Sequence, residues 1–168
     1  ARMENENRTR YDYRVVADGF ARWKISRNLT YKATFGNYFQ LRDYEIFRNS
    51  QAKYTGESYG YDLINLRNKF ITEHTLNYRW RKKNHTIDAL LGATYEYSAY
   101  KNTAIEGTQF PTDLIETLNA ATVINSDGTY TNKEEIALAS FLARVNYAYN
   151  GKYLLSVAAR YDGSSLFG

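Results

Sequence analysis

The sequence is short of several things that would point to a familiar class. It has no cysteine, one proline and two histidines among 168 residues. Without cysteine there is no disulfide framework and no thiolate metal site. His74 and His85 show neither His-x-x-x-His nor Glu-x-x-His spacing, so no transition-metal site and no cofactor is expected. Read by position, the two histidines fall on different faces of adjacent strands or at a turn. Gly107, Gly128 and Gly163 form no phosphate-cradling loop. The carboxylates are better read as ion-pair partners than as acid and base, and no enzyme activity is expected. Charge of one sign is also lacking: Lys and Arg total 22 against 18 Asp and Glu. They are interleaved rather than in runs, which argues against a nucleic-acid tail or a polybasic membrane patch. No apolar run reaches the roughly eighteen residues of a membrane-spanning helix. The first residues, Ala1-Arg2-Met3-Glu4-Asn5, are not an apolar export signal. If the protein is exported, the expectation is a signal further upstream and a chain that is a fragment.

What is present is tyrosine, 17 residues of it, and a long-sustained period of two. From Tyr11 to Ile25 the odd positions are Tyr, Tyr, Val, Ala, Gly, Ala, Trp and Ile, while most even positions are charged. The pattern resumes at Leu29 and runs to Leu41. A second pair alternates from Phe70 to Trp80 and from Ile87 to Tyr97. A third runs from Ala139 to Tyr149 and from Tyr153 to Tyr161. Such alternation marks half-buried strands. Register supports it, because residues directly opposite in an antiparallel pair share a face. Three-residue turns set Ile25 opposite Leu29 and Tyr149 opposite Tyr153. A two-residue turn at Lys82-Lys83 sets Tyr78 opposite Ile87. In each hairpin the apolar faces then coincide.

The pattern predicts an all-β chain of three long antiparallel hairpins near 10–42, 69–99 and 136–165, joined by long connections near 43–68 and 101–135. Short turns on one side and long loops on the other are the layout of transmembrane β-barrels. Strands of about 14 residues, at about 3.3 Å each and tilted by roughly 40°, rise about 35 Å, enough to cross a bilayer. Trp23, Tyr31, Tyr78, Trp80, Tyr147, Tyr149 and Tyr153 cluster near the short turns. Tyr11, Tyr13, Phe39, Tyr95, Tyr97 and Tyr161 lie at the far ends. Small aliphatic residues fill the band between, as in the aromatic girdles of a barrel wall. His74 sits awkwardly on this lipid face unless it is near the outer rim. The opposite face, with Asp12, Arg14, Arg79, Asp88, Arg144 and Arg160 among others, suggests ion pairs in a wet or plugged interior. Six strands leave two bare edges, which lipid does not tolerate, so a larger parent barrel is expected. The alternative is a soluble carbohydrate-binding β-sandwich, which predicts shorter strands and more even loops.

In the long connections, Tyr54, Tyr59 and Tyr61, with Gly56 and Gly60, are candidates for stacking on sugar rings. Thr112 is a candidate cap for a short helix with Leu114, Ile115 and Leu118 on one side. Asn125-Ser126-Asp127-Gly128 reads as a turn.

The C-terminal stretch from Asn146 to Gly168 resembles a hallmark of the SusC/RagA family of TonB-linked outer-membrane transporters. The family pattern Y-L-L-x-x-x-x-R-x-D-G-S-S-x-F-G is met here by Tyr153, Leu154, Leu155, Arg160, Asp162, Gly163, Ser164, Ser165, Phe167 and Gly168. Residue 166, usually basic in the family, is Leu. The segment Phe110–Ala121 resembles the family loop before that strand pair. The resemblance implies a plugged barrel of about 22 strands, of which this chain is a middle portion without the plug. It implies import of an oligosaccharide or peptide across the bacterial outer membrane, powered through TonB, with a SusD-like surface lipoprotein as partner. Outer-membrane lipid surrounds such a wall, and no nucleic acid is involved.

Overall fold

The structure, a computed structural model, describes residues 5–52 and 56–167. It is built almost wholly of strands: β1 (Glu6–Lys24), β2 (Leu29–Arg48), β3 (Tyr59–Lys82), β4 (His85–Thr108), the two-residue β5 (Val123–Ile124), β6 (Tyr130–Tyr149) and β7 (Tyr153–Ser164). They form one sheet in the order β1-β2-β3-β4-β6-β7, with β5 pairing antiparallel to the end of β4. Each long strand thus lies beside its neighbour in sequence, a meander whose path ends at β1 and β7. A β-sandwich needs a second sheet packed face to face, and the described residues make none.

The strands are long, with β3 and β4 at 24 residues each, against about 5–6 in an ordinary globular sheet. They also run past the ends expected from sequence. β2 continues to Arg48, β3 starts at Tyr59, β4 continues to Thr108 and β6 starts at Tyr130, which shortens the connections to 49–58 and 109–129. The reason is visible in the residues added. Asp43-Tyr44-Glu45 and Lys101-Asn102-Thr103 have no apolar face to alternate with a polar one, so only the backbone ladder declares them strands. The single proline, Pro111, falls in the 109–129 loop, where its missing N–H interrupts no ladder.

Two compact units are distinguishable. One contains the short turns and the strand segments next to them, residues 16–38, 69–98 and 135–168. Its turns are well defined. The Ile25 N–H reaches the Leu29 carbonyl at 3.0 Å. Asn150 and Gly151 take positive φ (51° and 66°), the Lys152 N–H donates to the Tyr149 carbonyl at 3.0 Å, and Tyr149 pairs with Tyr153. The β3–β4 turn is Lys83-Asn84, one residue later than expected, with Lys83 at φ 51°. Along β6 and β7 the register sets Phe141 opposite Tyr161, Val145 opposite Val157 and Tyr147 opposite Leu155, apolar on apolar.

Among the described residues nothing covers that apolar face along β7. Tyr153, Leu155, Val157 and Tyr161 of β7 are 71%, 61%, 59% and 72% exposed. Among the described residues only Ala33, Phe47, Ala104 and Phe110 are buried apolar side chains. A water-soluble monomer rarely exposes an apolar patch beyond a few hundred Å²; this sheet has almost no core of its own and a large greasy surface instead.

Both histidines lie on this same face, which corrects the placement expected from sequence. A two-residue turn flips parity between β3 and β4, and His85 opens β4 rather than sitting in the turn. His74 has a partner at both ring nitrogens, and His85 at Nδ1. The Tyr31 hydroxyl and His74 Nδ1 are 2.6 Å apart, with Thr72 Oγ1 3.1 Å from Nε2. His85 Nδ1 lies 2.7 Å from the Tyr147 hydroxyl. A ring whose nitrogens are occupied by neighbours is tolerable where water is absent, so His74 needs no place at the rim.

Candidate functional site

The other unit, residues 1–15, 39–68 and 99–134, carries the long loops and the strand segments leading to them. The 109–129 loop folds back on its own strands. The Phe110 ring meets Phe47 edge-on at 5.1 Å, and the Phe110 N–H donates to the Oγ of buried Ser58 at 2.9 Å. Two glycines make room for it. A Cβ on Gly60 would stand 2.7 Å from Phe110 Cζ, and one on Gly107 would stand 2.7 Å from Ala121 Cβ and 2.9 Å from Leu118 Cδ2. The Asp113 carboxylate accepts from Ser50 N–H (2.9 Å) and Ser50 Oγ (2.7 Å), tying the two loops together.

The helix expected after Thr112 is absent. The Thr112 hydroxyl and carbonyl accept from Leu114 and Ile115 N–H, which makes a turn. The one helical piece of this loop is a 3₁₀ turn at Leu118–Ala120. With Asp113 committed to Ser50, no helix is nucleated, and Leu114 is left 91% exposed. The turn at Asn125–Gly128 is present: Asn125 Oδ1 accepts from Asp127 N–H at 3.2 Å, and Thr129 N–H donates to the Ser126 carbonyl at 3.3 Å.

Of the candidate ligand-contacting tyrosines, Tyr54 lies outside the described residues. Tyr59 and Tyr61 sit two apart on β3, hence on one face. Tyr59 donates its hydroxyl to Glu106 Oε2 at 3.2 Å, and the Arg48 guanidinium lies over its ring at 5.0 Å. Burial, and then the Glu106 carboxylate, push the Tyr59 hydroxyl up to about 12. Tyr61 is hydrogen-bonded to Tyr130. Both rings are therefore held by protein partners. Glu106, which the sequence reading passed over, is a hub: it accepts from Tyr59 and from Asn125 Nδ2 (2.7 Å), and its own N–H donates to Thr129 Oγ1 (3.1 Å). Its signal was parity, since even positions of β4 share the polar face.

Among the described residues the same face carries Arg8 over Tyr44 at 6.0 Å, Arg48 over Tyr59, and Arg67 over Tyr100 at 5.6 Å. Two carboxylates hold most of these and neighbouring guanidiniums. Glu6 accepts from Arg8 (2.5 Å) and Arg48 (2.6 Å), and the Arg48 hydrogen bond is the largest influence holding its carboxyl below the usual range. Asp12 accepts from Arg14 (3.3 and 3.1 Å), Gln40 (2.8 Å) and Arg42 (3.3 Å), with Arg10 at 3.8 Å.

The family-signature residues do structural work at the end of β7. Arg160 Nε donates to Asp162 Oδ1 at 2.8 Å, and Asp162 pairs with Ser140. Ser165 Oγ accepts the Ala137 N–H at 2.9 Å, extending the β6–β7 ladder by a side chain, and Ser164 Oγ accepts the Leu166 N–H at 3.2 Å. Gly163 pairs with Ala139, and a Cβ there would meet only the Ala139 carbonyl, at 3.9 Å. Phe167 closes a short 3₁₀ turn, Ser165–Phe167, and Gly168 lies outside the described residues. Among the described residues no group of histidines and carboxylates is arranged to hold a metal ion.

No protein-family model matches the chain. It is 30% identical over 148 residues, 86% of its length, to TonB-dependent receptor P39 of Formosa agariphila, and 31% identical over 145 residues, 81% of its length, to TonB-dependent receptor P26 of the same organism. Each match covers 14% of the relative, so the chain spans about a seventh of their length. Among solved structures it superposes on the RagAB peptide transporter with a TM-score of 0.88, covering 99% of this chain and 19% of that one at 19% identity. It also matches the RagAB peptide importer in its closed-closed state, with a TM-score of 0.85 over 96% of this chain and 18% of that one.

Proposed function

This chain is a relative of the TonB-dependent receptors of the SusC/RagA type, and we propose that it forms part of the barrel wall through which such a receptor imports a nutrient across the bacterial outer membrane. The observation that carries this is the uncovered apolar face on strands of 12 to 24 residues. A transmembrane strand needs about 9–11 residues, and strands of this length need no second protein layer if lipid is the layer. The edges of β1 and β7 pair with further strands of the parent protein, because lipid offers no hydrogen bonds to bare edges.

Energy reaches the receptor through TonB, by a segment outside this stretch, and a SusD-like surface lipoprotein closes over the loop side. The long loops 49–58 and 109–129 belong on that side, where loops touch substrate or partner. The nutrient is an oligosaccharide or a peptide. Tyr59 and Tyr61, held by Arg48, Glu106 and Tyr130, act as a fixed aromatic floor there rather than as free stacking rings. In this role the chain has no catalytic residue. An antibody against this segment tests the proposal: it should detect an outer-membrane band far larger than 19.5 kDa whose mobility changes on boiling. A soluble band at 19.5 kDa would contradict it.

A further inference from the structure

The polar face of the turn-side unit holds a recess close to the short turns. Its volume is about 460 Å³, and Arg27, Asn77, Arg79, Asp88, Arg144 and Asn146 are among the residues that line it. Residues 20–31, 76–91 and 143–159, which flank the three short turns, hold nine lysines and arginines and one carboxylate, Asp88. That carboxylate is committed, because Arg79 Nε donates to Asp88 Oδ1 at 2.5 Å. Among the described residues neither Arg27 nor Arg144 stands in an ion pair. Further along this face come Glu73, four residues beyond Asn77, and Asp162, whose partner Ser140 is four residues beyond Arg144. Four residues of strand are about 13 Å, and Asp162 is held by Arg160. Asp18, beside Gly36, and Glu96, paired with Lys69, are further still from the lining residues Thr30 and Leu90. Three guanidiniums against one carboxylate leave the recess with a surplus of two positive charges. All three arginines are exposed, so a ligand reaches them without displacing protein.

We propose that this recess binds a phosphate ester, the phosphoryl group of a sugar phosphate. The inference rests on the import reading above, which turns this face to the barrel interior, and names a chemical group that the nutrient carries. A phosphate monoester has about two negative charges at neutral pH and three strong acceptor oxygens, which matches the surplus; a carboxylate or a sulfate ester, with one charge, meets half of it. The guanidinium fork suits phosphate geometry. Arg79 on β3 and Arg144 on β6 flank β4, about 10 Å apart across the sheet, so an anion seated over β4 lies within reach of both side chains. The volume exceeds a phosphate and falls in the range of small-molecule sites. The remaining lining suits hydroxyl-rich rings. Ser156 Oγ donates to Asn146 Oδ1 at 2.7 Å, which leaves the Asn146 amide nitrogen open, and Asn77 has no side-chain partner among the described residues.

The test uses the full-length receptor in detergent, titrated calorimetrically with glucose 6-phosphate, glucose 6-sulfate and glucose. The phosphate should bind about tenfold more tightly than the sulfate, and glucose more weakly than either. Affinity for the phosphate should fall as pH drops below about 6, where the ester takes up its second proton, while that for the sulfate stays level. Arg144→Gln should lose about tenfold for the phosphate, whereas Lys152→Gln, the same loss of charge in a turn outside the recess, should bind like wild type. Equal binding of phosphate and sulfate, binding of neither, or equal losses in the two variants would overturn the proposal, as would an Arg144→Gln receptor that binds the phosphate undiminished. Should that variant fail to fold, the wild-type series and its pH dependence still decide. The import reading fails separately, in the membrane-fraction experiment, whatever the titration gives.

Discussion

At the residue scale the lipid-facing surface is held together by polar pairs that it hides. The Tyr31–His74 contact is one. Removing one partner strands the other in an apolar setting, at about 1–3 kcal/mol, whereas removing both can be nearly neutral. His74→Leu in the full receptor should therefore lower the midpoint of heat-induced unfolding, and the double variant Tyr31→Phe/His74→Leu should recover most of the loss. An additive double variant would show that the pair contributes nothing. Glycines give a second contrast. Gly60→Ala sets a methyl group within 2.7 Å of Phe110, while Gly163→Ala meets nothing closer than 3.9 Å. The first should loosen the 109–129 loop and speed its cleavage by protease, and the second should leave it unchanged. Little of this was legible in the sequence. Parity placed Asp12, Arg14 and Arg160 on the polar face, but which carboxylate meets which arginine depends on cross-strand register and side-chain reach. Glu106 was missed because its partners, Tyr59, Asn125 and Thr129, come together only when the loop folds back.

At the scale of elements, alternation was a good guide wherever one face had to be greasy. Those segments, Val15 to Lys24, Leu29 to Phe35, Phe70 to Trp80, Ile87 to Tyr97, Ala139 to Tyr149 and Tyr153 to Tyr161, lie within strands of the sheet. It failed at the loop side, where stretches such as Asp43-Tyr44-Glu45 and Lys101-Asn102-Thr103 present no apolar face to alternate with a polar one. Turn chemistry was half legible. Asn150-Gly151 suits positive φ, but Lys83 at φ 51° is a residue ill matched to its conformation, and so the β3–β4 turn was placed one residue early. Left-handed backbone costs a side-chain-bearing residue about 1–2 kcal/mol. Lys83→Gly should therefore raise the unfolding midpoint and Lys83→Val should lower it; the reverse order would mean that this turn is not formed as described. The Ser164-Ser165 pair is the other end of the argument. Ser165→Ala removes the acceptor for Ala137 N–H, and faster amide exchange at Ala137, with the middle of β6 unaffected, is the expected result.

At the scale of the molecule, a chain with four buried apolar side chains among its described residues has a folding problem that only its surroundings solve. Hydrophobic burial is the main favourable contribution to folding in water, and here most of the apolar area faces outward. The lipid-facing reading makes that surface the point of the design, and it ties together the long strands, the short turns and the kinship with TonB-dependent receptors. It is tested most directly by spin labels placed singly along β7, from Tyr153 to Ser164, in the full-length receptor reconstituted in bilayers; this stretch contains no native cysteine to interfere. Labels at 155, 157 and 159 should be relaxed by oxygen dissolved in the lipid, and labels at 156, 158 and 160 by a water-soluble nickel complex. Loss of that alternation, or access of the nickel complex to every position, would contradict the account.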